Sequence, residues 1–177
     1  MIESRGYSIW MMPSGQVYDE LSGLISKLSG EHFSHKFEPH VTLLKVIEGL
    51  GEDISLKTSE LAKLIKPFKI ELEGLDYFED HFRCLFIKAK ETPELMNANL
   101  EARKVFSRGI DAIYAPHLSL IYGELSKDMK QTMISNLKNE REGKEFAYAF
   151  DVNKLDLFST QGEPDKWYRA GEFPLTV

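Results

Sequence analysis

The 177-residue sequence holds a single cysteine, Cys84. An intramolecular disulfide is thereby excluded, and a lone thiol in an apolar run suits a reducing compartment. No stretch approaches the roughly eighteen apolar residues of a membrane span. The first residues, Met1-Ile2-Glu3-Ser4-Arg5, lack the basic-then-apolar order of a signal peptide. The expected location is cytoplasmic, with the nucleus left open. An excess of positive charge is missing too: 22 Lys and Arg stand against 28 Asp and Glu, a formal net charge of −6. A binder of duplexes or anionic membranes would cluster Lys and Arg, so long nucleic acid and membranes are unexpected partners. With 42% hydrophobic and 28% charged residues, the composition is that of an ordinary globular protein. The length fits one domain spanning residues 1–177, or two small lobes sharing a core.

Against those absences stands one stretch that occurs twice. Pro39-His40-Val41-Thr42-Leu43-Leu44 and Pro116-His117-Leu118-Ser119-Leu120-Ile121 both read proline, histidine, apolar, hydroxyl, apolar, apolar. In a β-strand alternate side chains share a face, so His40 goes with Thr42 and His117 with Ser119. Val41, Leu43, Leu118 and Leu120 turn the other way, into a core. A leading proline suits the first position of a strand, where its missing N–H costs no ladder bond.

The rest of the chain frames these copies. Tyr7 to Met12 reads as a strand stopped by Pro13-Ser14-Gly15. From about Gln16 to Ser29, Val17, Leu21, Leu24, Ile25 and Leu28 recur on one helical face, and Gly30 ends the run. After the first histidine strand and the glycines at 49 and 51, a helix within Asp53 to Lys66 and a strand from Phe68 to Tyr77 follow. The second half repeats the order. It has a strand at Arg83 to Ala89, a helix opened by Thr92-Pro93, the second histidine strand and a helix capped by Ser126. Phe146 to Phe158 closes it as one long strand or two short ones, before a tail with Trp167 and Glu172-Phe173-Pro174-Leu175. The same interval separates Gln16 from Pro93 and His40 from His117. The expected fold class is therefore α+β, with two pseudo-symmetric lobes, at about 1–80 and 81–177, that bring both histidine strands to a central cleft.

Two imidazoles facing each other can serve as general base and general acid, since one ring can be neutral while the other is protonated near neutral pH. Hydroxyls two residues on can hold phosphoryl oxygens without adding negative charge. The chemistry this set suits is in-line attack of water on a phosphodiester, with His40 and His117 moving protons and Thr42 and Ser119 binding the phosphate. A single His-x-Ser would carry no weight, but two copies at equal places in a duplicated order do. No cofactor is expected. Nor is a metal, because neither histidine has Cys, Asp or Glu at ligand spacing on its own strand. His32, His35 and His81 read as solvated loop residues, and Met129 and Met133 as core.

With its paired His-x-Thr/Ser motifs in a duplicated α+β chain, the sequence resembles the 2H phosphoesterase superfamily. It is similar in particular to the small cyclic phosphodiesterases of plant and yeast type. The resemblance runs through Tyr7-Ser8-Ile9-Trp10, both histidine motifs with Tyr122-Gly123 after the second, and the tail from Trp167 to Leu175. It implies a bilobal fold, each lobe an antiparallel sheet with helices outside. It further implies metal-independent opening of ADP-ribose 1″,2″-cyclic phosphate or nucleoside 2′,3′-cyclic phosphates. The implied catalytic pair is His40 and His117, with His117 as base and His40 as acid. Thr42 and Ser119 become the phosphate binders, and Tyr122 and Trp10 the contacts to base or sugar. The expected partner is then a small cyclic phosphate met by a monomer. RNA ends or 2′-5′ oligonucleotides are the alternative substrates. A non-catalytic nucleotide-binding module is the alternative class, although a binder has no need of both an acid and a base.

Overall fold

The computed structural model describes residues 5–109 and 113–176. Eight strands and four helices follow in the order β1 (Tyr7–Met11), α1 (Gly15–Glu31), β2 (Val41–Ile47), α2 (Gly51–Leu64), β3 (Phe68–Asp76), β4 (Leu85–Ala89), α3 (Pro93–Val105), β5 (His117–Ile121), α4 (Lys127–Glu140), β6 (Ala147–Val152), β7 (Lys154–Ser159) and β8 (Tyr168–Pro174). The helices form where the apolar spacing predicts them. Leu21, Ile25 and Leu28 of α1 are buried on one stripe. Thr92 accepts from the Leu95 N–H ahead of Pro93, and Ser126 accepts from the Met129 N–H, so α3 and α4 both start on side-chain caps. Two local expectations fail. Gly30 does not end α1, which continues to Glu31 and closes on a His32 N–H to Leu28 bond. Met129 is exposed on α4, leaving Met133 as its core methionine.

All strands join one antiparallel α+β sheet in the order β6-β3-β4-β5-β2-β1-β7-β8. The stretch from Phe146 to Phe158 is two strands at opposite ends: β6 pairs with β3, whereas β7 pairs with β1. The tail supplies a further strand, β8, paired along β7. The expected boundary between residues 1–80 and 81–177 is therefore not the boundary of the sheet. One half of the sheet is β6-β3-β4-β5 and the other β2-β1-β7-β8, so each takes strands from both parts of the chain. The physical reason is edge satisfaction. β1 and β3 each have one sequence-near partner, and the peptide groups on their other edge are paired only by β7 and β6. The helices cross over likewise, with α1 packed on β5 and β6, α2 on β7 and β8, and α3 on β2.

A buried amide fastens helix to sheet beside the site. Asn99 of α3 donates to the Leu43 carbonyl of β2 at 2.8 Å and accepts from Arg103 Nε at 3.0 Å. Asn99→Ala leaves a buried carbonyl without its donor. A loss of about 1–3 kcal/mol is expected in urea unfolding, and an unchanged midpoint would show that the bond adds nothing.

Candidate active site

β2 and β5 meet at the centre of the sheet through one registered pair, Val41 with Leu118, both fully buried. Each pair member directly follows a histidine. Antiparallel continuation on either side sets His40 toward Ser119 and Thr42 toward His117. The duplicated motif thus folds into a two-fold arrangement in which each imidazole lies beside the other strand's hydroxyl. The rings are held alike. His40 Nδ1 is 2.6 Å from the Glu38 carbonyl, and His117 Nδ1 is 2.8 Å from the Ala115 carbonyl. A carbonyl can only accept, so Nδ1 carries the proton in both, and each Nε2 is the free nitrogen.

The surroundings of the two rings differ. His40 is buried and lies flat against Trp10, with centroids 3.6 Å apart and planes 6° from parallel. Phe158 covers Trp10 as well, at 3.9 Å, and the indole N–H donates to Ser8 Oγ, which itself donates to the Leu44 carbonyl. With 2% of its surface exposed, Trp10 has no ring face for a base, so the expected contact to base or sugar is replaced by support of His40. Tyr122 is buried, with its ring stacked on Phe37 at 3.8 Å, near Trp167, and its hydroxyl against Ser119. His117 is half-buried and touches Phe86, with centroids 4.9 Å apart.

The hydroxyls are unequal too. Ser119 Oγ donates to the Phe82 carbonyl at 2.9 Å, whereas Thr42 has its own carbonyl held by the Tyr114 hydroxyl at 2.8 Å. Several neighbours carry no local sequence signal: Phe82, Tyr114, Phe158, Lys45 and Arg83. Next to His40 opens a cavity of about 330 Å³ lined by Trp10, Phe37, Glu38, Phe158, Pro164 and Trp167, among others. His35 is exposed, as expected of a solvated loop residue, and its Nε2 lies 3.2 Å from a Glu163 carboxylate oxygen beside this cavity. A groove of about 430 Å³ between α1 and α4 lies away from both imidazoles. Among the described residues no three His, Cys, Asp or Glu side chains are grouped to hold a metal ion.

Burial pushes His40 down to about 3, with the neighbouring His117 adding to the shift against the bond to Glu38. Burial also lowers His117, opposed by the Ala115 carbonyl and helped by the charges of Arg83 and Lys45. Both rings are therefore neutral in the free site near pH 7, and an anion placed between them favours taking up a proton.

The sequence profile of the 2′-5′ RNA ligase superfamily matches residues 17–164. A cyclic phosphodiesterase of Arabidopsis thaliana is 29% identical over 161 residues, covering 89% of this chain and 86% of that protein. Among solved structures, TT0787 of Thermus thermophilus superimposes with a TM-score of 0.70 at 18% identity, over 96% of this chain and 97% of that one. LigT of E. coli in complex with 3′-AMP gives 0.65 at 14% identity, over 99% and 100% of the two chains.

Because the folded-state pKa of His40 lies below the imidazole value of about 6.5, the unfolded chain binds more protons between those values. Stability is then fully present above pH 6.5 and falls as pH drops toward 3, by at most about 1.4 kcal/mol per pH unit from this group. Ring-proton NMR titration of the free protein should show His40 neutral at pH 5, and a His40 midpoint near 6.5 would refute the burial argument.

Proposed function

Because the chain belongs to the 2′-5′ RNA ligase superfamily, the 2H phosphoesterases, we propose that it hydrolyses a small cyclic phosphodiester to a phosphomonoester by two-histidine acid–base catalysis. As a member of that family it is an enzyme acting on phosphodiesters. The observation that carries the mechanism is the matched pair of imidazoles, each fixed through Nδ1 and flanking the Val41–Leu118 pair. The proposed substrates are nucleoside 2′,3′-cyclic phosphates, opened to 2′-phosphates, and ADP-ribose 1″,2″-cyclic phosphate, opened to the 1″-phosphate. The acidic balance of the chain disfavours a long RNA.

In this reading His117 Nε2 takes a proton from water as the water oxygen bonds to phosphorus. His40 Nε2 gives a proton to the ester oxygen as its bond to phosphorus breaks. Two features support this division of labour. Lys45 and Arg83 disfavour a second positive charge on His117 and keep it a base. The indole face under His40 stabilises an imidazolium once a phosphate anion offsets the burial. Thr42 and Ser119 hold the non-bridging oxygens, for which the Ser119 hydrogen swings away from the Phe82 carbonyl. The cavity beside His40, walled by Phe37, Phe158 and Trp167, suits the apolar part of the substrate.

Phosphorus NMR with excess EDTA should show each cyclic phosphate converted to a monoester. His40→Ala and His117→Ala are each expected to lower kcat by about 10²–10⁴ with the circular dichroism unchanged. Near-wild-type turnover in either variant would remove the two-histidine mechanism. The rate should be bell-shaped in pH, and a monotonic rise across neutrality would count against a paired acid and base.

A further inference from the structure

The cavity of about 330 Å³ beside His40 has aromatic walls, and its rings are not equivalent. Phe158 is stacked on Trp10 at 3.9 Å, with the Arg169 guanidinium 5.6 Å from its centre, and Phe37 is stacked on Tyr122 at 3.8 Å. Trp167 meets Trp10, Phe82 and Tyr122 edge-on or tilted, so among the described residues no ring lies parallel on either of its faces. Its N–H donates to the Gly162 carbonyl at 3.0 Å, which satisfies the polar edge and fixes the half-buried indole. A flat aromatic ligand finds its stacking surface there.

Glu38 joins this cavity to His40. Its backbone carbonyl is 2.6 Å from His40 Nδ1, and the residue lines the cavity. The Tyr18 hydroxyl donates to Glu38 Oε1 at 3.1 Å, and burial together with this carboxylate pushes the phenol up and keeps it a donor. Among the described residues Oε2 accepts no hydrogen bond and no cation pairs with the carboxylate. Asp165, the other carboxylate of the lining, is exposed and lies 3.7 Å from His35 Nδ1. Glu38 is thus the held acceptor of the cavity, with Lys36 as the cation of the same lining.

A carboxylate accepts and never donates, so it selects among bases by their donors, and Oε1 keeps a lone pair beside the Tyr18 bond. Guanine presents two adjacent donors, N1–H and the N2 amine, spaced for the two oxygens of one carboxylate. Adenine and cytosine set an acceptor nitrogen beside their amine, and uracil has one N–H between two carbonyls. Facing Glu38, each of these leaves a carboxylate oxygen against an acceptor.

We propose that the cavity beside His40 is a guanine subsite, in which Trp167 stacks the base and the Glu38 carboxylate accepts from N1–H and the N2 amine. This rests on the reading of the cleft as a cyclic phosphodiesterase site. It narrows the substrates to guanine nucleotides that end in a 2′,3′-cyclic phosphate. Glu38 then has two separate roles, its carbonyl fixing the His40 ring and its side chain choosing the base.

The test compares kcat/KM for guanosine, inosine and adenosine 2′,3′-cyclic phosphates in the full-length protein. Guanosine should exceed adenosine about tenfold, and inosine, which lacks the N2 amine, should fall between them. Glu38→Gln keeps the backbone carbonyl and puts an amide, one donor and one acceptor, before the base, so the preference for guanine should vanish. Equal kcat/KM for guanosine and adenosine, inosine equal to guanosine, or a preference that Glu38→Gln leaves intact overturns the subsite. Calorimetry of guanosine against adenosine 2′-monophosphate reads the same subsite without turnover. If no cyclic phosphate is cleaved, the hydrolase reading fails, while tighter binding of the guanine nucleotide that Glu38→Gln removes still supports the subsite and equal binding refutes it.

Discussion

The pairing of Val41 with Leu118 is the interaction on which the site depends. It is a single registered contact between two half-sheets, buried on the core side, and the residue on either side of it along each strand is one of the imidazoles or hydroxyls to which the proposed chemistry is assigned. Because side chains alternate along a strand, fixing this one pair fixes the four side chains that flank it, and a slip of one residue would turn both imidazoles into the core. The prolines at 39 and 116 and the Nδ1 bonds to the carbonyls of Glu38 and Ala115 then remove the remaining freedom of the rings. The result is a rigid cross of two bases and two hydroxyls, obtained from backbone geometry before any long-range electrostatics enters.

Onto this near-symmetry the fold imposes an asymmetry. Trp10 and Phe158 stack under His40, whereas Phe86 touches His117 with Arg83 and Lys45 in range. Equivalent rings in equal surroundings would share a proton evenly, whereas unequal surroundings separate their affinities for it, as the proposed acid and base roles require. The aromatic support is hydrophobic burial used for a polar end, since the sandwich that stabilises the lobe also sets the plane of the imidazole.

The histidine motifs were readable because their information is local. A period of two, a proline and a hydroxyl determine which side chains share a face. Helix caps at Thr92 and Ser126 were readable for the same reason. What lay beyond reach was pairing over long sequence distances. Nothing between Phe146 and Phe158 states that the chain leaves one edge of the sheet at Val152 and enters the other at Lys154, or that the tail becomes a strand. The contact of Trp10 with base or sugar rests on family resemblance alone, and no local pattern reveals that His40 and Phe158 stack on its ring. The direction of Lys45 is hidden from the sequence because the β1–β2 register slips between Thr42 and Leu44, which interrupts the alternation from which it would be read.

The interleaving of the strands bears on how the protein comes into being at the ribosome. β1 and β3 emerge early, each with one edge that finds no partner until Ala147 to Ser159 have been made. Neither half of the sheet can close while the chain is still being synthesised through α4, so the nascent polypeptide carries open strand edges during most of its translation. Native structure then arrives late and through contacts between distant residues, which makes folding slow for a chain of this size and leaves its intermediates in need of protection from one another.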